Sequence, residues 1–196
     1  MIKLILASGS PRRRELLSKI GYTFEVIPSD APEIVTESQP AKVVEALSRL
    51  KARDIYERSK VTALEDFVVL GADTIVAFED QIMGKPVDKA HAYEMLKSLQ
   101  GREHSVYTGV TLCGWIDGRN VEDTFHVRTI VKFFNLTDAE IEEYLSHSEY
   151  EDKAGSYAIQ GLGTLLVEKI DGDFNNVVGL PVASVHRHLS AMCGNR

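Results

Sequence analysis

The run "DFVVLGADTIVAF", residues 66–78, is apolar except where Gly71, Asp73 and Thr74 interrupt it. Burying a carboxylate in such a run is costly unless something satisfies it. A metal ion, a cation, a chemical task or the amides of a turn would each serve, and position alone leaves these open for Asp73. A second candidate lies near the start of the chain, in "SGSPRRREL", residues 8–16. Ser10 followed by Pro11 is a helix start, with a side-chain cap and then a ring whose fixed φ suits the first helical position. Arg12, Arg13 and Arg14 then crowd the first turn, where free N–H groups already carry partial positive charge. A cation there costs roughly 0.3–1 kcal/mol. A strand, a tight Gly/Ser turn and a helix N-terminus form an anion site. Phosphate oxygens would offset the crowding through charge-assisted hydrogen bonds. Successive helix positions diverge by about 100°, so the three arginines do not all reach one ligand, and Arg14 is expected in solvent. The bland alternative is a basic helix start facing water beside Glu15. The turn carries no G-x-x-x-x-G-K-[ST], and no G-x-G-x-x-G follows a strand, so neither a P-loop nor a dinucleotide fingerprint is present.

Three further stretches gain meaning only beside these. "GKP", residues 84–86, offers Lys85 next to a rigid proline; near a carboxylate and phosphates it could neutralise developing charge, and alone it is an exposed hairpin lysine. "DKAGSYAIQGLG", residues 152–163, contains Gln160, whose amide both donates and accepts, as reading a base edge requires. Its glycines would admit a flat ligand, although alone the stretch is an ordinary glycine-rich loop. Glu33, in the polar loop "PSDAPE", reads by itself as solvated. The histidines show no metal-ligand spacing, and His186 and His188 read as surface residues. Cys113 and Cys193 stand in no metal or redox pattern and read as neutral thiols.

The elements that must position these groups follow from pattern. Residues 3–7 and 23–27 read as short strands, with a helix from Ser10 to Gly21 between them. Pro40 opens a helix with Val43, Leu47 and Leu50 at helical spacing and Lys51 just beyond. The Asp73 strand turns at Glu79-Asp80 and returns through "IMGKPVD". Asp88 caps a helix to Gln100, closed by Gly101. "VYTGVTLCGWI" and "TFHVRTIVKFF" flank an Asp117-Gly118 hairpin turn. "TDAE", residues 137–140, is a capping box for a helix through Tyr144. "GTLLVEKIDGDFNNVVGLP" supplies a strand, a turn and a rim segment, and a last helix begins after Pro181. Hairpins together with helical crossovers predict an α/β fold with a mixed sheet rather than a purely parallel one.

At 196 residues, without a linker or repeat, the chain reads as one domain, residues 1–196. A net charge of −7 opposes general nucleic-acid binding, so the basic cluster suits a small anion. "MIKLILA" is too short for a signal core, and no stretch approaches the roughly 20 apolar residues of a membrane span. The expectation is a cytoplasmic protein with no membrane and no nucleic-acid partner.

Taken together, "LASGSPRRREL", "GADTIV", "GKP", "DKAGSYAIQG" and "KIDGDFNNVVGLP" resemble, in order and spacing, the Maf family of nucleoside triphosphate pyrophosphatases. The resemblance runs from Leu4 to about Pro181. It implies a fold like that of inosine triphosphate pyrophosphatases: an elongated mixed sheet, surrounding helices and a cleft between two lobes. It also implies hydrolysis of a nucleoside triphosphate to monophosphate and pyrophosphate with Mg²⁺ or Mn²⁺, often by a homodimer, as a way of clearing unwanted nucleotides. On this resemblance Asp73 falls on the proton acceptor, and Ser8, Arg13, Glu33, Lys51 and Lys85 fall on polar positions of the cleft. Asp73 and Glu33 would hold the metal. Arg12, Thr74 and Gln160 fall on positions that separate branches, and here they match the dTTP/UTP type. "YAIQG" departs from the usual "YGIQG" at Ala158, which bears on base preference. The rival expectations are a 7-methyl-GTP pyrophosphatase of the same family and a non-catalytic nucleotide-binding regulator of septum formation.

Overall fold

A computed structural model of the chain describes residues 2–60 and 65–194. Its first half runs β1 (Lys3–Leu6), α1 (Pro11–Lys19), β2 (Glu25–Val26), α2 (Pro40–Lys60), β3 (Phe67–Phe78) and β4 (Gln81–Met83). The second half adds α3 (Lys89–Leu99), β5 (Glu103–Ile116), β6 (Arg119–Phe133), α4 (Asp138–Leu145), β7 (Val167–Asp171), α5 (Phe174–Val178) and α6 (Val182–Cys193). Short 3₁₀ turns fill Ser148–Tyr150, Ala154–Ser156 and Gly161–Leu166.

The sheet is mixed, as expected. Its order is β2-β1-β3-β5-β6-β7, with β4 also on β3. β1 runs parallel to both β2 and β3, and the other pairings are antiparallel. β3 is covered on both faces, which explains its nearly continuous apolar run. Its odd-numbered residues Phe67, Val69 and Ile75 meet α2, through Ala52 and Ile55 or through Val43 and Leu47. Its even-numbered residues Val68, Leu70, Ala72 and Val76 join a larger core with α1, α3, α4 and α6.

The register of β3 creates the opening for a site. One edge pairs with β5 continuously from Phe67 to Ala77. The other edge pairs with β1 only at Phe67–Leu70 and with β4 only from Val76 to Phe78. Between them, residues 71–75 have no strand on that side. Asp73 and Thr74 sit in this gap and point to opposite faces of the sheet.

Gly71 is not a defect in the strand. A Cβ there would lie 2.3 Å from the Ser48 carbonyl and 2.6 Å from the Ala52 nitrogen. At Gly109, opposite Asp73 on β5, a Cβ would lie 2.2 Å from the Val44 carbonyl. The two glycines let α2 rest directly on the sheet, which brings Lys51 to Asp73.

Local expectations hold in several places. Glu79-Asp80 and Asp117-Gly118 turn with positive φ, as tight hairpin turns require. Asp88 caps α3 through the His91 N–H, and Thr137 with Glu140 forms the capping box. Others need correction. Ser10 occupies the cap position of α1, but its side chain makes no capping bond; its N–H donates instead to Ser8 Oγ at 3.3 Å. The hairpin strands begin three residues earlier and five residues earlier than the apolar patterns suggested, because Glu103–Ser105 and Arg119–Asp123 pair as backbone without an apolar signature. The rim segment is a short helix, α5, capped by Asp173.

Candidate active site

The gap on β3 opens into a cleft of about 510 Å³, within the range of small-molecule sites. Every residue named above as a candidate for substrate, metal or catalysis lines it except Ser8. Ser8 lies buried beneath, accepting from Arg13 Nη1 at 3.0 Å. Three elements supply the chemistry: the N-terminal turn of α1, the gap in β3 with Lys51 above it, and the segment 152–160 opposite.

On the α2 face, Lys51 Nζ lies 2.7 Å from Asp73 Oδ1 and 2.9 Å from Glu33 Oε1. Asp73 Oδ2 has no hydrogen-bond partner among the described residues. On the opposite face, Arg13 spends its whole fork on the protein. Nε donates to the Gly179 carbonyl at 2.8 Å, and Nη2 to Thr74 Oγ1 at 3.1 Å. Thr74 Oγ1 in turn contacts Thr108 Oγ1, its cross-strand partner, at 2.9 Å. Thr108 donates to the Asn176 carbonyl, and Asn176 Nδ2 donates to the Val106 carbonyl and Thr129 Oγ1. Burial pushes the Arg13 guanidinium below its ordinary value, with Asp73 and Glu33 opposing and Arg12 adding to the shift.

Arg12 is different. It lines the cleft, half-buried, with no hydrogen-bond or ion-pair partner among the described residues, and burial lowers its pKa. Arg14 is exposed, as expected. Thus the neighbours in the basic run differ: Arg13 ties α1 to the end of α5, and Arg12 lines the cleft without a partner among the described residues. The first-turn N–H groups beside Arg12 take no side-chain cap.

Across the cleft, Gly155 N–H donates to the Gly84 carbonyl, which joins the 152–156 turn to the segment bearing Lys85. Lys85 Nζ stands 3.5 Å from Asp152 Oδ1 and is exposed. Gln160 is half-buried on the wall, and its amide bonds to no described residue. His186 and His188 stand elsewhere, bonded to Tyr22 and Asp123. Neither cysteine forms a disulfide, and burial with Glu122 beside it pushes Cys113 up to about 12.

Sequence reasoning missed Lys153, Thr108, Asn176 and Gly179. Lys153 lines the cleft within a motif already noted for Gln160. Thr108 could have been found as the polar residue facing Thr74 had the register been known. Gly179 acts through its backbone oxygen, which leaves no trace in residue type, and Asn176 through its side-chain amide as well as its carbonyl.

A family profile described as "Maf-like protein" matches residues 3–192. The chain belongs to the Maf family. Relatives across nearly its full length carry the name dTTP/UTP pyrophosphatase. That of Agathobacter rectalis is 47% identical over 96% of this chain and 97% of its own. That of Thermoanaerobacter pseudethanolicus is 48% identical over 94% and 93%. That of Carboxydothermus hydrogenoformans is 48% identical over 96% and 97%. Among solved structures, the Staphylococcus aureus Ham1 protein aligns with a TM-score of 0.42 and 16% identity, over 68% of this chain and 72% of that one. That distant likeness adds nothing to the fold of this Maf protein described above. No helix among the described residues is long and apolar enough to cross a membrane.

The expected metal can be weighed against the donor set. Mg²⁺ is commonly held by one or two carboxylates, with waters and substrate phosphate oxygens completing the shell. Asp73 and Glu33 converge on one point, where Lys51 Nζ stands. No cluster of three or more His, Cys, Asp or Glu suited to a metal occurs among the described residues. Two convergent carboxylates fit a cation that arrives with, and is completed by, a phosphorylated ligand.

Proposed function

We propose that this Maf protein hydrolyses nucleoside triphosphates, dTTP and UTP foremost, to the monophosphate and pyrophosphate. One observation carries the reading. A single cleft brings a carboxylate with an unoccupied oxygen, Asp73, together with the unpartnered guanidinium of Arg12, Lys85 and the unbonded amide of Gln160. The names of the relatives support the same activity and the same bases.

Lys51 fixes Asp73 Oδ1, which leaves Oδ2 to accept a proton from a water aimed at the α-phosphorus. Arg12 and the uncapped N–H groups of α1 hold phosphate oxygens, and Lys85 adds charge across the cleft. Arg13 keeps Thr74 and the turn at Ser8 in place from behind, so the α1 N-terminus meets the ligand at a fixed angle. Gln160 offers its amide to the base, donor and acceptor together matching the mixed edge of a pyrimidine. A divalent cation held by Asp73 and Glu33 would neutralise phosphate charge and polarise the phosphoryl oxygens.

The experiment is a nucleotide panel with purified protein, with and without Mg²⁺ or Mn²⁺, scoring pyrophosphate separately from phosphate. Cation-dependent pyrophosphate from dTTP and UTP, with little from purines, supports the reading. In Gln160→Glu the amide donor becomes an acceptor, so pyrimidine turnover is expected to fall selectively. Turnover of 7-methyl-GTP alone would sink the base assignment, and binding without turnover would sink the enzyme.

A further inference from the structure

Hydrolysis at the α-phosphorus concentrates the chemical problem at one end of the ligand. The oxygen of water bonds to phosphorus, and the bond from that phosphorus to the bridging oxygen breaks. The electron pair leaves on pyrophosphate, and the proton of water passes to Asp73. Charge therefore builds on the departing group, which needs cations of its own.

The wall opposite Lys51 has them. Lys153 is half-buried in the cleft, and its ammonium makes one bond, to the Glu151 carbonyl at 3.1 Å. No carboxylate lies within ion-pair distance of it among the described residues. Its pKa is lowered, first by burial and then by Arg12, with Lys85 adding; Asp152 and Glu149 oppose. Arg12 likewise depresses Arg13, which Asp73 and Glu33 oppose. Arg12, Lys85 and Lys153 line one cleft together with Arg13, Asp73 and Glu33.

The backbone holds this arrangement against repulsion. Asp152, Gly155 and Ser156 all have positive φ, at 57°, 68° and 63°. Two of these are not glycines, so the turn is held in an unfavourable conformation by its surroundings. The Gly155 bond to Gly84 keeps the Lys153 turn beside the Lys85 segment. A cluster of cations with few counter-ions, lining one cleft, is complementary to a dense anion.

We propose that Lys153 binds the departing pyrophosphate, forming with Arg12 and Lys85 a cationic seat in the cleft, and that this seat selects triphosphates over diphosphates. The assignment rests on the pyrophosphatase reading. Lys153 acts through charge and hydrogen bonds on the β- and γ-phosphate oxygens.

Calorimetric titration with pyrophosphate and, separately, with UMP, in Mg²⁺, tests it on wild type, Lys153→Ala, Lys153→Met and Lys153→Arg. Lys153→Ala should bind pyrophosphate at least tenfold more weakly, bind UMP within twofold of wild type, and lose tenfold in the ratio of kcat/KM for dTTP over dTDP. Lys153→Arg should recover most of both losses. Lys153→Met keeps the apolar stem and replaces the alanine variant if that one melts early. Pyrophosphate binding within twofold of wild type in a folded variant overturns the assignment, as does an equal loss for pyrophosphate and UMP. A wild type that binds neither ligand overturns the pyrophosphatase reading itself, and this assignment with it.

Discussion

Lys51 Nζ stands 2.7 Å from Asp73 Oδ1 and 2.9 Å from Glu33 Oε1, so one ammonium joins two carboxylates from different parts of the chain. The two contacts are unequal. The Lys51 and Asp73 side chains are 14% and 13% exposed, whereas that of Glu33 is 55% exposed. An exposed ion pair contributes roughly 0–1 kcal/mol, so Glu33 can leave cheaply. Removing one partner from a largely buried pair strands the other charge and costs more. Asp73 is thus the fixed member of the site and Glu33 the adjustable one.

Replacing Lys51 with Met tests whether that point belongs to a cation. With the ammonium gone, the two carboxylates face each other uncompensated. Mn²⁺ binding to the ligand-free protein, followed by electron paramagnetic resonance, should tighten severalfold. Turnover should fall about 100-fold, the usual scale for losing one fixed electrostatic contact. Unchanged Mn²⁺ affinity would mean that Asp73 and Glu33 do not share a cation.

Gly71→Ala tests how α2 is held. The new Cβ would lie 2.3 Å from the Ser48 carbonyl, backbone that cannot turn aside. α2 must lift, at about 1–3 kcal/mol for overpacking. That corresponds to a fall in melting temperature of several degrees for a chain this size. Because Lys51 rides on α2, kcat should fall as well. Gly84→Ala, with nothing within 4 Å of its new Cβ, is the control and should leave the melting temperature within a degree or two.

Much of this architecture was legible in the sequence because it rests on short-range rules. The hairpin turns, the Asp88 and Thr137 caps and the two-faced β3 all follow from local pattern. The candidate residues that line the cleft were recognisable as types and as motifs in order. What stayed hidden depends on register. That β1 stops at Leu70 and β4 begins at Val76, opening the gap around Asp73, is a relation between strands far apart in the chain. The division between Arg12 and Arg13 was hidden for the same reason. Arg13 points at Gly179, 166 residues away, and nothing in "SPRRREL" distinguishes it from its neighbour. Ser10 misled because a serine before proline is a good cap by type, while here its side chain makes no capping bond.

Arg13→Lys follows from that geometry. Lysine offers one ammonium where the guanidinium reaches Gly179, Ser8 and Thr74 in three directions. At least one of the three acceptors loses its partner, at about 1–3 kcal/mol for a buried group left unpaired. Urea titration should show this loss. The KM for dTTP should rise even though Arg13 itself faces the protein, because the α1 N-terminus is no longer fixed. A stable variant with a raised KM would place Arg13 on the ligand rather than behind it.

The last prediction concerns acid and the wall that carries Lys153 and Gln160. His104 is 3% exposed, bonds Tyr157 Oη through Nε2 at 2.7 Å, and has no partner for Nδ1 among the described residues. Burial lowers its pKa from the ordinary 6.5 to about 4. Between those values the unfolded chain holds a proton that the folded chain refuses, so stability rises with pH there and falls as the solution is acidified. The full stabilisation is present above pH 6.5 and is lost by about pH 4, a change of about 3 kcal/mol. His104→Gln, which still offers Tyr157 a partner but does not titrate, should lose correspondingly less between pH 7 and pH 4 in urea titrations. Because Tyr157 lines the cleft beside Ala158, wild type should also lose affinity for UMP over that range faster than the variant does. Parallel stability curves would assign the acid sensitivity to the carboxylates instead.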